Sequence, residues 1–161
     1  MTILSLTTAA GAAYRDTVDA YIRFLWGGPM VISLGNLCDS RMLPGFAAVE
    51  DGALLGAVLY RPDGDNCEVS CIFSLVQGVG AGSALLGAVK EAAARNGARR
   101  LWLVTTNDNI HAIRFYQKRG FSLKAVHINS MDAARKLKPQ IPEIGEDGIP
   151  LKHEFEFEMM L

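Results

Sequence analysis

Cysteine is scarce: the 161-residue chain has three, Cys38, Cys67 and Cys71, and no Cys-x-x-Cys pair among them. That leaves no disulfide framework and no thiolate metal ribbon to read, so the three are expected to be reduced thiols in the interior. No metal is expected. Excess charge of one sign is also missing, with 16 Lys and Arg against 17 Asp and Glu and a formal net charge of -1. A nucleic-acid binder needs a basic stripe that this balance does not provide. Nor is there a run of about 18 uncharged apolar residues, or a basic start followed by an apolar core, so no membrane segment or secretory leader is read and the cytoplasm is the expected location. What is present is a chain half hydrophobic and one-fifth charged. It is long enough to bury roughly 70% of its unfolded surface in one core, and a single domain over residues 1–161 is expected.

The most informative stretch is Gln77-Gly78-Val79-Gly80-Ala81-Gly82-Ser83, between the apolar run Val69 to Val76 and an Ala/Leu-rich helical segment. Glycines let main-chain N–H groups approach an anion, and the helix that follows turns its unpaired amides and positive end toward the same point. A ligand carrying a diphosphate suits such a junction. An ordinary glycine-rich turn is the competing reading, because short glycine motifs match by chance.

Around that junction the periodicity gives a coarse map. Gly11 to Trp26 carries apolar residues at helical spacing and is stopped by Gly27-Gly28-Pro29, and Met30 to Leu34 reads as a short strand or loop. Phe46 to Glu50 and Ala53 to Tyr60 flank Asp51-Gly52, a hairpin signal, and Arg61 to Asp65 turns the chain again. Cys67 to Val76 is a strand, the helix after the glycines ends at Asn96-Gly97, and Leu101 to Thr105 is a nearly continuous apolar strand, which completes a βαβ unit. A helix capped by Asp108 or Asn109, with Ile110, Ile113 and Phe115 or Tyr116 inward, precedes a strand from Phe121 to Ile128. A short helix covers Ser130 to Lys138. The last strand alternates: Leu151, His153, Phe155, Phe157 and Met159 on a buried face, Lys152, Glu154, Glu156 and Glu158 on an acidic one.

A strand, then Gln-x-x-Gly-x-Gly and a helix, then Leu101 to Thr105, Asn109 and Phe115-Tyr116-x-x-x-Gly120-Phe121, resembles the acyl-CoA-binding core of the GNAT superfamily of N-acetyltransferases. The resemblance implies an α/β (α+β) fold with a mixed, mostly antiparallel central sheet and helices on both faces. It implies acetyl-CoA as co-substrate, held by the segment Leu75, Val76, Gln77, Gly78, Val79, Gly80, Ala81, Gly82 and Ser83, with Asn109 and Tyr116 also at the cofactor. The acceptor it implies is a small-molecule or peptide amine, and the oligomer a possible homodimer. A dinucleotide-binding reading of Gly78-Val79-Gly80 fails at Ser83, where a third glycine belongs, and too little chain follows for a second nucleotide-binding half.

Direct acetyl transfer needs a proton for the leaving thiolate and a base for the ammonium. Tyr116 matches the family's general acid, and a phenol suits that task; ordinary core packing with Phe115 is the alternative. Glu68, on the strand leading to the loop, is the candidate base, with side-chain parity matching Ser70 and Ile72; a solvated strand glutamate is the alternative. A main-chain N–H between Ser70 and Leu75 is the candidate donor to the carbonyl oxygen. His111 and His127 are weaker bases, and His153 reads as a satisfied core histidine. A function of another class, a non-catalytic acyl-CoA sensor, keeps the cofactor grip without the chemistry.

Overall fold

The computed structural model describes residues 1–161. In chain order the elements are β1 (Thr2–Ser5), α1 (Ala9–Ala12), α2 (Arg15–Trp26), β2 (Met30–Ser33), β3 (Asn36–Asp39), β4 (Gly45–Glu50), β5 (Ala53–Asp63), β6 (Asn66–Ser74), α3 (Ala81–Arg95), β7 (Arg100–Thr106), α4 (Ile110–Gln117), β8 (Ser122–His127), α5 (Ser130–Leu137) and β9 (Glu154–Met160). Strands β2 and β3 form a separate hairpin, and the other seven are mostly antiparallel. The chain divides into two compact units, one of residues 1–31, 39–101 and 161, the other of residues 32–38 and 102–160. No helix is long and apolar enough to cross a membrane.

In the first unit the strand order is β1-β4-β5-β6, each pair antiparallel. The β4–β5 connection is the expected hairpin: Asp51 and Gly52 take φ of 50° and 80°, the left-handed pair such a turn demands. One face of this sheet receives α2, where Tyr21 packs on Phe73 at 5.6 Å. The other carries Tyr60, stacked on Phe46 at 5.8 Å and close enough to α3 to feel the charge of Arg95. Val58, Leu59, Leu85 and Val89 are fully enclosed, and burying each side chain stabilises the unit by about 1.5–3 kcal/mol.

Two expectations change here, and one strand is added. The helix expected from Gly11 to Trp26 is two helices. Thr8 caps α1, Tyr14 N–H closes it on Gly11 O at 3.0 Å, and Gly11 lies so close to Ser5 O that a Cβ would sit 1.9 Å away, which only glycine allows; α2 begins afresh at Arg15. The turn expected over Arg61 to Asp65 is confined to its end, because β5 runs on through Pro62 to Asp63 and reverses at Gly64. Strand β1 was not read from the sequence: four residues are too short a run to declare a period.

In the second unit the order is β7-β9-β8, with β8 and β9 antiparallel. Strand β7 alternates in burial rather than being covered on both faces. The irregular chain from 139 to 150 is held from outside: Asn107 bonds Pro150 O and the N–H groups of Lys152 and His153, Asp108 accepts from Glu146 N–H at 2.9 Å, and Arg135 donates to Pro142 O and Leu151 O. His153 is satisfied, its Nδ1 accepting from Asn129 N–H at 2.9 Å. The acidic face of β9 is the largest departure. Glu154 is 3% exposed, and the side chains of Glu156 and Glu158 are 13% and 21% exposed. Alternation marks two faces of a strand without saying which of them is covered.

Candidate active site

The glycine loop belongs to the first unit. Leu75 N–H bonds Leu55 O at 2.8 Å, and Ala84 N–H closes the first turn of α3 on Gly80 O at 3.1 Å. Between those two, no N–H from Val76 to Gly82 donates to a main-chain carbonyl, and no side chain caps the helix. Gly78 and Gly80 take φ of 79° and 81°, which only glycine adopts without strain, and open space surrounds both. Ala81 and Gly82, by contrast, are buried. The loop therefore presents a row of main-chain donors outward at the positive end of a 15-residue helix, the arrangement that binds phosphate groups.

The strand feeding this loop is irregular at one place. Leu59 pairs with Cys71 and Tyr60 with Val69, so Ser70 is an extra residue bulged out of the ladder. A bulge breaks the alternation of faces. Leu59 and Arg61 lie on one face of β5, which puts their partners Cys71 and Glu68 on one face of β6 together with Phe73. The expected parity of Glu68 with Ile72 is therefore wrong: Glu68 shares the face of Cys71 and Phe73, which receives α2. It is 3% exposed and paired with Arg61, Nη2 to Oε2, at 2.7 Å. Arg61 was missed by sequence reasoning, although counting back through the turn at Gly64 sets it opposite Glu68. The Ser70 hydroxyl is buried with no hydrogen-bond partner.

Cys67, on the opposite face of β6, is inert as a nucleophile: burial, followed by the charge of Glu68, pushes its thiol up to about 11. No cysteine is in a disulfide.

Helix α4 in the second unit supplies the other candidates. Asn109 caps it, Oδ1 accepting from Ala112 N–H at 3.0 Å, a bond worth about 1 kcal/mol. Tyr116 is 7% exposed and sits edge-on to Phe115 at 5.4 Å and Phe121 at 5.8 Å, tilted against Phe157 at 6.3 Å. Arg119 is drawn over the Phe115 ring at 3.6 Å and donates to Phe115 O. Ile110, expected inward, is 52% exposed because it opens the helix. His111 is exposed, and His127 bonds Glu156 at 2.8 Å.

Comparison with known proteins gives the family and the fold. The model of the acetyltransferase (GNAT) family matches residues 12–121. An uncharacterised protein of Bacillus subtilis, YdhI, is 45% identical over 84% of this chain and 86% of its own length. Among solved structures, a GNAT family acetyltransferase from Elizabethkingia anophelis with acetyl-CoA bound superposes with a TM-score of 0.68 at 22% identity, covering 99% of this chain and 97% of that one. The aminoglycoside 6'-N-acetyltransferase from Enterococcus faecium superposes with a TM-score of 0.65 at 16% identity, over 99% and 97%. The family match over most of the chain and the close bacterial relative make this protein a member of the GNAT family of acetyltransferases.

Proposed function

We propose that this acetyltransferase holds the diphosphate of acetyl-CoA on the main-chain amides from Gln77 to Gly82 and the start of α3 at Ser83, and passes the acetyl group directly to a primary amine. The observation that carries the reading is the uncommitted row of N–H groups from Val76 to Gly82 at the head of α3. Leu75, Val76 and Val79, 37%, 43% and 44% exposed, offer apolar side chains to the rest of the cofactor.

In this reading the amine lone pair attacks the thioester carbonyl, the C–N bond forms, and the C–S bond breaks. The carbonyl oxygen, negative in the intermediate, takes a hydrogen bond from the main chain at the Ser70 bulge, where a residue stands outside the ladder. The CoA sulfur takes a proton from the Tyr116 hydroxyl, with Asn109 fixing the start of the helix that carries it. The ammonium proton goes to Glu68, directly or through water, and the pair with Arg61 sets that carboxylate's orientation. Enzymes similar to it in fold include one named for aminoglycosides, and a small molecule bearing an amino group is the acceptor class we assign.

The test is thiol release from acetyl-CoA against a panel of amines. Release above background hydrolysis with at least one amine supports the reading. Tight acetyl-CoA binding with no release from any amine would turn it into the acyl-CoA sensor.

A further inference from the structure

The bulge in β6 sets a side chain as well as a peptide apart from the ladder. The residue left over is Ser70, between Val69 at 5% and Cys71 at 3% exposure. Ser70 itself is partly exposed, so the surface reaches the strand at the bulge. Its hydroxyl nonetheless lies enclosed, with no hydrogen-bond partner. A hydroxyl can donate one bond and accept two, and leaving all of them unmade in the interior costs stability. Ser40, in the same unit, has the same unmet need but is 1% exposed and has no open side to turn to. Ser70 has one. No hydrogen bond holds its χ1, and a step to another staggered position swings the oxygen toward the surface that the residue already shows.

Where the strand leads gives this freedom a use. Val76, where the uncommitted amides begin, lies six residues beyond Ser70, at most roughly 20 Å of extended chain. The acetyl group of acetyl-CoA stands off its diphosphate by one pantetheine arm, whose extended reach is comparable. A diphosphate seated on Gln77 to Gly82 can therefore present its thioester at Ser70 when the arm follows β6 back from the loop. Both ends of that span belong to the first unit.

We infer that the Ser70 hydroxyl turns to the thioester carbonyl oxygen and donates a second hydrogen bond there, beside the bond from the bulged main chain. The inference rests on the acetyl-transfer reading for its chemistry and on the seat of the diphosphate for its geometry. As the amine attacks, the carbonyl π pair moves onto oxygen, and the hydroxyl keeps its proton while its bond strengthens against the growing charge. When the C–S bond breaks, the pair returns to the carbonyl and the bond weakens again. Ser70 thus gives up no proton, which separates its part from that of Tyr116.

Calorimetric titration with acetyl-CoA and with S-ethyl-CoA, which has a methylene in place of the carbonyl, tests this without an amine. The unaltered protein should prefer acetyl-CoA. Ser70→Ala should cut that preference by about three- to tenfold, the worth of one hydrogen bond, and Ser70→Thr, which keeps the hydroxyl, should retain it. Ser70→Ala should also melt no lower than the unaltered protein, because it removes an unmet polar group, while its kcat with an accepted amine falls by about tenfold or more. A hydroxyl that served only the fold would not give lower turnover with stability kept. An undiminished preference in Ser70→Ala overturns the inference, and so does an equal loss in Ser70→Thr, which would assign the effect to packing. Thiol release from amines with the preference untouched by Ser70→Ala removes the hydroxyl contact and leaves acetyl transfer standing. A preference that depends on Ser70, with no thiol release from any amine, keeps the contact and sinks the transfer reading.

Discussion

Tyr116 is buried among three aromatic rings and is also the residue proposed to protonate the leaving sulfur. The two roles separate in Tyr116→Phe, which keeps the ring and removes the hydroxyl. Steady-state kinetics should show kcat down by about 10²-fold or more with the KM for acetyl-CoA within about twofold; an unchanged kcat would return Tyr116 to plain packing. Arg61→Ala should strand the Glu68 carboxylate in the interior. Because Arg61 is itself 35% exposed, the loss in urea unfolding should be about 1–3 kcal/mol rather than the larger figure for a fully enclosed pair. No measurable loss would mean that water already serves Glu68. The candidacy of Tyr116 was legible because Asn109 followed by Phe-Tyr-x-x-x-Gly-Phe is part of the pattern that carries the family resemblance. The orientation of Glu68 was not, because one extra residue at Ser70 reverses its face and nothing in the letters Glu-Val-Ser-Cys announces the insertion.

Among elements, those fixed by local chemistry were the readable ones. Asp51-Gly52 specifies its turn, Asn109 its cap, and Asn96-Gly97 the end of α3. Features that depend on distant partners were not readable: Gly11 packs against the main chain of Ser5, and Glu154 accepts from Leu34 in a hairpin more than a hundred residues earlier. The head of α3 offers the sharpest test at this scale. Gly80→Ala forces a side chain into φ of 81°, at a cost of about 1–2 kcal/mol. Open space around the position means that no clash adds to it. The variant should fold, and acetyl-CoA should raise its melting temperature less than it raises that of the unaltered protein. An equal rise would show that the cofactor is held elsewhere.

For the molecule as a whole, alkaline pH should find a weak point at β6. Burial holds the Cys67 thiol up at about 11 against an ordinary 9.0, and burial, then the neighbouring Cys67, raises Tyr60 in the same direction. Unfolded chains release these protons first, so the folded state binds more protons between about pH 9 and 11 and stability must fall across that window while being fully present below it. Melting temperatures from pH 7 to 11 should trace the fall, and Cys67→Val, close in volume, should flatten part of it. An identical slope in the variant would remove Cys67 as a cause.

The loop before α3 also bears on how inhibitors could be made selective. A grip built from peptide nitrogens has almost no individuality, since any chain bent the same way offers the same lattice of donors whatever its side chains. A compound that mimics the coenzyme would thus be poorly discriminating by construction. If the coenzyme is held as proposed, chemists seeking a molecule that silences this enzyme and spares its cousins should begin at the opposite end of the reaction, with the amine.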